Sequence, residues 1–304
     1  MFKLTSKIIS MTAFLLLGAL TLSACANDAE TQAANPEPEA TQPAETEPVV
    51  TDDATPADIR ELEDEQLPLL DGSIFEPLKD APLTLLQLTP VNQGEELMIL
   101  HTTMGDVTLR FFPDEAPQAV ENFLTHARAG FYDGIIFHRV IPGFMIQGGC
   151  PLGTGTGGQS IWGEPFGLEP SLNVRHFRGA LAMAHAGGAM GSQFYIVQNT
   201  EIDQMFMHEM NEIINSQNMP MGRFENGQRL YVGDVFTEAE ARHFMTYGGT
   251  PFLDWLWSPQ GHTVFGHVVE GMDVVDAIAA TETAADRPVE DVIIERISFI
   301  YYGG

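Results

Sequence analysis

The chain has 304 residues, 44% of them apolar, with 14 Lys and Arg against 42 Asp and Glu, a formal net charge of -28. That length and apolar content suffice for one large buried core or two small ones, while the scarcity of clustered cations excludes nucleic acid and anionic lipid headgroups as partners. The two cysteines, Cys25 and Cys150, allow at most one disulfide, and none if Cys25 is consumed by another modification.

At the N-terminus, Lys3 and Lys7 precede an apolar run from Ile8 to Leu22. The run is short for a membrane span and has the length of a signal-peptide core. It closes on Leu22-Ser23-Ala24-Cys25, small residues before a cysteine, which resembles the lipobox of bacterial lipoproteins. The resemblance implies that residues 1–24 are removed and that Cys25 becomes an acylated N-terminus holding the protein to a membrane. An ordinary secretory signal with an incidental cysteine is the other reading. Residues 25–66 read as a disordered acidic tether: roughly half of the net charge lies between Asn27 and Asp80, in a stretch rich in Pro, Thr, Ala and Glu and poor in aromatic residues. Residues 67–94, broken by Pro68, Pro77 and Pro82, read as an extended lead-in lying against the domain.

The domain itself occupies residues 95–304. Leu97–His101 and Val107–Phe112 alternate with period two around Gly105 and predict a β-hairpin. Ala116, Val120, Phe123, Leu124 and Ala127 fall at helical spacing, with Gly130 just beyond, and predict a one-faced helix from Ala116 to Ala129. Next comes Phe137–Gly149, FHRVIPGFMIQGG. It places the guanidinium of Arg139 near Phe144, Met145 and Ile146 and the neutral amide of Gln147, with no acid, base or nucleophile between. Such a set suits binding and polarising a neutral, partly apolar group. Gly153–Gly158 spells G-x-G-x-x-G, but Pro151 precedes it and no helix signal follows, so a nucleotide site is not expected. Cys150 has no cation or helix terminus beside it in sequence and reads as a small packing residue.

Gly179–Met183 predicts a strand leading to Ala184-His185-Ala186, followed by GSQFYIVQN from Gly191 to Asn199. From Thr200 to Thr250, Glu201–Asn215 and Thr237–Tyr247 look helical and Asn218–Gly233 loop-like. The Met205, Met207, Met210, Met219, Met221 and His208 set is either an adaptable packing surface or, less simply, a copper site. His262–Val268 predicts a strand, Gly271–Ala279 a short helix and Asp291–Tyr301 a closing strand.

FHRVIPGFMIQGG, then APQAVENFL before it, GSQFYIVQN and HTVFG after it, together resemble the cyclophilin-type peptidyl-prolyl cis-trans isomerases from about Leu97 to Phe299. The resemblance implies a mainly β fold: a closed eight-stranded antiparallel β-barrel capped by two helices, here with a partly helical insertion at about 200–250. It implies Arg139, Gln147 and Phe144 as the catalytic set, Gln147 holding the guanidinium. Phe144, Met145, Tyr195 and Leu253 would grip the proline ring. Ala184, His185, Ala186 and Gln193 would hold the preceding backbone, with Gly155 beside the groove, His262 in the wall and His138 behind Arg139. Tyr195 stands where the family usually has Phe, so its hydroxyl needs a partner. His185 stands where Asn is frequent, and one residue fewer lies between Gly187 and Gly191. The groove rim is either Trp257 or Phe252 with Leu253; the second keeps an apolar residue for the pocket and is preferred. Neither metal nor cofactor is required. The expected partners are proline-containing polypeptides and, through Cys25, the extracytoplasmic face of a bacterial membrane. A monomer is expected, and a binding module of the same fold is the alternative to an enzyme.

Overall fold

The computed structural model describes residues 85–202, 208, 220–223, 227, 229–254 and 261–303. Within them the period-two runs become strands. β1 (Glu96–Thr102) and β2 (Gly105–Phe111) pair antiparallel through Met98↔Leu109 and Leu100↔Val107. All four of those side chains are buried in one core. Gly105 sits at φ +128, and a Cβ there would lie 2.8 Å from Val274 Cγ2, so the turn residue also lets a later helix approach.

Helix α1 (Pro117–Arg128) begins with Pro at its first turn and has no side-chain cap of its own. Instead the Glu169 carboxylate accepts from the free N–H groups of Gln118 and Ala119 at 3.0 and 2.8 Å, a negative charge at the positive helix end. Its inner face, Ala119, Val120, Phe123 and Ala127, joins the core of β1 and β2. Gly130 follows at φ +71 and stops the helix.

The remaining strands are β3 (Arg139–Ile141), β4 (Met145–Gly148), β5 (Ala180–Ala186), β6 (Ala189–Val197), β7 (Pro220–Arg223), β8 (Arg229–Tyr231), β9 (Val264–Glu270), β10 (Thr283–Ala284), β11 (Arg287–Pro288) and β12 (Ile294–Tyr301). Eight of them form one sheet in the order β12-β1-β2-β9-β5-β6-β4-β3. The closed barrel implied by the resemblance is corrected here: β12 and β3 are the two ends of an open, strongly curled half-barrel, and they share no ladder. The segments that precede them meet through the bridge Ile136↔Ile293 and the backbone hydrogen bonds around it, such as Phe137 N to Val292 O at 2.9 Å. The reason lies in β3, which is three residues long, and its Val140 N–H donates to the carbonyl of Asp286 in the β10–β11 turn. That turn takes the edge that β12 would need for closure. Besides α1, helix α4 (Met272–Ala279) also covers the core, through Val275, Ile278 and Ala279.

Between β6 and β9 the insertion contains the β7–β8 hairpin, a short turn of helix α2 (Val232–Val235) and helix α3 (Glu238–Tyr247). The hairpin corrects the loop-like expectation for 218–233: Gly222 pairs with Leu230 despite the Gly and Pro content. Most of the expected 201–215 helix, and the Met205–Met219 part of the copper reading, lie outside the described residues. Among the described residues no three His, Cys, Asp or Glu side chains are grouped to hold a metal. Helix α3 starts with a capping box, the Thr237 hydroxyl accepting from Glu240 N and the Glu240 carboxylate accepting from Thr237 N. The other Glu240 oxygen lies 2.7 Å from Arg175 Nη2 as a charge contact, both side chains being at most 1% exposed. Arg175 also donates from Nη1 to the carbonyls of Leu172 and Val174 and from Nη2 to that of Val235, and Phe177 packs on Phe244 at 4.6 Å between ring centres. The insertion is thus fastened to the strand lead-in at 174–178.

Of the lead-in, residues 67–84 lie outside the described residues; Leu86–Leu88 forms a single 3-10 turn, in which Leu86 N donates to Asn173 O and the buried Gln87 donates to Arg175 O.

Removing one partner of a buried ion pair leaves the other charge uncompensated. Glu240→Ala should therefore destabilise the protein by ~3–5 kcal/mol, against ~1 kcal/mol for the cap alone in Thr237→Ala, measured as a shift of the urea unfolding midpoint.

Candidate active site

Register places the site. β3 pairs with β4 through Arg139↔Gln147, β4 with β6 through Gln147↔Tyr195, and β6 with β5 through Tyr195↔Ala182. Directly opposed residues of antiparallel strands share a face, so these four line up across four strands on one face of the sheet. Their neighbours Val140, Ile146, Ile196 and Leu181 turn the other way, into the main core. Two residues along β4 from Gln147, Met145 joins a second apolar cluster with Tyr195, Leu253, Val264, Ala182 and Ala184, against which the half-buried Phe144 and Phe252 pack. Phe144 and Phe252 stack at 5.9 Å between centres with 28° between planes. Phe252 and Leu253 thus belong to this cluster. Trp257 lies outside the described residues.

The polar groups form a chain rather than the pair that was expected. Gln147 Nε2 donates to Gln193 Oε1 at 3.0 Å. Gln193 Nε2 in turn donates to the carbonyls of Gly155 and Gly157 at 2.9 and 2.7 Å. The expected hold of Gln147 on Arg139 is absent: Gln147 Oε1 and Arg139 Nη1 are both buried without a hydrogen-bond partner. The guanidinium is held instead by Asp286, whose Oδ2 lies 3.5 Å from Arg139 Nε. Burial draws the Arg139 pKa down from its usual value while Asp286 pulls it up. Asp286 was missed in the sequence, where nothing near it resembles a site residue. It reaches Arg139 because its turn, at φ +65, closes the edge of β3.

His138 and His262 are held neutral by their surroundings. His138 is buried, neither of its ring nitrogens has a hydrogen-bond partner, and its pKa is pushed down to about 4 by burial, by Arg139 and by Arg287. Gly155 covers it, since a Cβ there would lie 3.4 Å from the His138 ring. His262 donates from Nδ1 to Met183 O at 3.2 Å and stands 4.1 Å, centre to centre, from the ring of His185. Burial, then His185 and His176, holds His262 well below the usual imidazole range. His185 Nδ1 accepts from Gly188 N at 3.1 Å. The shortened stretch after it is a two-residue hairpin turn: Ala186 pairs with Ala189, and Gly187 and Gly188 sit at φ +54 and +84, the conformation such turns demand. A register shift between Met183 and His185 leaves Ala184 at a bulge facing the second cluster.

Two further side chains have surroundings that only the fold supplies. The Tyr195 hydroxyl has the partner it was expected to need, His176 Nε2 at 3.0 Å. Cys150 is buried, as a packing residue would be, yet its thiol is not shielded from polar groups. Burial would raise its pKa, but backbone N–H groups of Thr154, Gly157, Leu152 and Gly155 aimed at Sγ bring it below the usual value. The glycine loop supplies the polarity that no side chain or helix end offers, and it contains no phosphate-binding helix.

The model of the family described as "Cyclophilin type peptidyl-prolyl cis-trans isomerase/CLD" matches residues 97–231 and 234–299. A protein of Staphylococcus aureus (strain COL) named "Putative peptidyl-prolyl cis-trans isomerase" is 43% identical, over 68% of this chain and 93% of its own length. A protein of the same name from Staphylococcus haemolyticus (strain JCSC1435) is 43% identical over 69% of this chain and 95% of its own. The chain belongs to the cyclophilin-type peptidyl-prolyl cis-trans isomerases. Among solved structures, a Cryptosporidium parvum cyclophilin type peptidyl-prolyl cis-trans isomerase matches with a TM-score of 0.48 at 25% identity, covering 67% of this chain and 97% of that one.

His138, and His267 whose pKa is pushed down to about 3 by burial, by Arg110 and by His243, stay neutral when folded and take up protons when unfolded. Their folded pKa values lie below the unfolded value, so stability is complete above about pH 6.5 and falls as pH drops from there toward 4, by ~1.4 kcal/mol per unit for each histidine. The urea midpoint should be clearly lower at about pH 5 than at about pH 7.5. An unchanged midpoint would contradict the neutral assignment.

Proposed function

We propose that this isomerase turns X–Pro bonds of exported polypeptides with Arg139 as the donor at the twisted amide, and that Cys25 carries the lipid that keeps it at the extracytoplasmic face of a bacterial membrane. The observation that carries the site assignment is the row of Arg139, Gln147 and Tyr195 beside the apolar cluster of Met145, Leu253 and Phe144, with Arg139 Nη1 unspent. Rotation about an X–Pro bond faces a barrier of ~18–20 kcal/mol because it breaks amide resonance. As the bond twists, the proline nitrogen regains a lone pair, and a fixed cationic donor stabilises that state more than the planar one. A guanidinium suits the task because it stays charged at every working pH and presents its donors in a rigid fork.

Phe144, Met145, Tyr195 and Leu253 grip the proline ring, with Phe252 at the rim. Ala184, His185, Ala186 and Gln193 hold the chain before it, and Gly155 lets the loop lie close to the groove. Gln147, through Gln193, ties that loop to the strand bearing Met145, while Asp286 steers Arg139. His262 and His138, neutral and buried, serve as wall rather than as acids or bases, so no proton moves and no covalent intermediate forms. The protein works as a monomer on proline-containing chains. Residues 25–66 act as the tether between the lipid and the domain, an assignment supported by their composition and by the apolar run before Cys25.

Cis-to-trans exchange of a short X–Pro peptide, followed by NMR, should be strongly accelerated by the protein, and Arg139→Ala should lower kcat/KM by about a hundredfold while remaining folded. An inert parent that still binds the peptide would mean the site recognises proline without turning it. In cells fed a labelled fatty acid, the protein should carry the label in the membrane fraction and Cys25→Ser should lose it; label that survives in the variant would place the anchor elsewhere.

A further inference from the structure

A tyrosine in a proline pocket is an awkward wall. Its ring does what a phenylalanine would do, but its hydroxyl is a polar group that costs free energy when buried without a partner. Left unpaired, it would draw water into the wall or swing the ring toward solvent, and the way to solvent leads through the pocket. Here the hydroxyl points inward instead, to His176 Nε2 at 3.0 Å, and His176 Nδ1 lies 2.6 Å from Asp254 Oδ1. Tyr195, His176 and Asp254 are 1%, 1% and 3% exposed.

We propose that His176, backed by Asp254, is a positioning residue of the isomerase site: it holds the Tyr195 hydroxyl away from the pocket and so fixes the ring that forms the pocket's inner wall. The inference rests on the reading of Tyr195 as a wall of the proline pocket.

The geometry leaves His176 little freedom. Asp254 Oδ1 accepts from the backbone N–H of His176 at 2.8 Å as well as from its ring, so one carboxylate fixes both the main chain and the imidazole. A carboxylate only accepts, so Nδ1 carries the hydrogen, and in the neutral ring Nε2 is free to accept from the phenol. The phenol keeps its proton, because burial and then Asp254 raise the Tyr195 pKa well above its usual value. Asp254 ends the 3-10 turn Pro251–Leu253, so the same turn that delivers Leu253 to the pocket delivers the carboxylate behind it. His262 packs edge-on against both Tyr195, at 5.4 Å, and His176, at 6.2 Å. Tyr195 and His262 therefore both lean on one imidazole, and Leu253 adjoins the carboxylate that holds it. His176 is clamped in turn by its carbonyl, which accepts from Thr250 N at 2.8 Å, and by its neighbours Arg175 and Phe177, which hold the insertion. Nothing in this line touches Arg139, so its contribution is to the shape of the pocket and not to the twist of the amide.

Shape of this kind acts on the bound proline before and during rotation alike, which predicts a change in KM with little change in kcat. The test is a double-mutant cycle on the full-length protein with an X–Pro peptide. His176→Leu should raise KM by about tenfold with kcat within about twofold, since a buried hydroxyl is left unpaired. The same change made together with Tyr195→Phe should raise KM by less than about twofold relative to Tyr195→Phe alone, because no hydroxyl then needs holding. His176→Gln, whose amide can still accept from the phenol, should recover part of the loss. Equal KM penalties in the two backgrounds, or a loss confined to kcat, would overturn the inference by showing that His176 only supports the fold. An inactive parent would strike at the isomerase site itself, a result separable from an active parent without coupling. Should His176→Leu fail to fold, nitrogen-15 spectra of the parent and of Tyr195→Phe decide: the His176 Nε2 signal should be that of a hydrogen-bonded acceptor and move when the hydroxyl is removed. A signal indifferent to Tyr195→Phe would overturn the inference.

Discussion

The structure depends on one register. Because Arg139, Gln147, Tyr195 and Ala182 oppose one another across β3, β4, β6 and β5, every side chain one position away is committed to the opposite face. Val140, Ile146, Ile196 and Leu181 fill the inside of the curled sheet, while Met145, Tyr195, Val197 and Ala182 build the second cluster outside it. A slip of one residue in β4 would exchange the two sets, burying Gln147 in the main core and emptying the pocket. The main core is therefore what aligns the site, although no member of the site row belongs to it.

The open edge of the sheet is part of the same construction. A closed ladder would occupy the outer edge of β3 with β12; here the β10–β11 turn occupies it instead, giving Val140 a backbone acceptor and placing the Asp286 carboxylate beside the Arg139 guanidinium. An arginine on a three-residue edge strand would otherwise be free to solvate. With one oxygen near Nε and the side chain largely buried, the fork is restrained while Nη1 keeps an unspent donor. The amides of Gln147 and Gln193 act on a different part of the site, anchoring the glycine loop whose turns lie over His138 and around the Cys150 thiol.

Much of this was legible in the chain. Period-two alternation in Val107–Phe111 and the helical spacing from Ala116 to Ala127 depend on local burial, which sequence records directly, and the hairpin and α1 fall within a residue or two of expectation. The residues of the second apolar cluster were legible as a set, because Phe144 and Met145 sit beside Arg139 in one short run and Tyr195 and Leu253 in others of the same character. What could not be read was any property set by a partner far along the chain. Asp286 meets Arg139, Glu169 caps α1 and Glu240 neutralises Arg175 only after the sheet has curled. Closure failed as an expectation for the same reason: strand content does not say which segment occupies the last edge. The β7–β8 hairpin escaped notice because its Gly and Pro content carries a stronger turn signal than its few apolar residues carry for strands.

Tyr195 shows how such distant partners bear on function. Read alone, a hydroxyl in an apolar pocket is a defect, since a buried polar group without a partner costs more than the ring's burial can easily hide. Set among its neighbours it becomes the end of a line that begins at Asp254, one residue from the pocket's own Leu253, and passes through His176 beside the buried Arg175 that holds the insertion. The hydroxyl therefore ties three separated segments together, 174–178, 250–254 and β6. Its desolvation cost is offset only if all three are in place, so the order of Tyr195 depends on contacts made far along the chain.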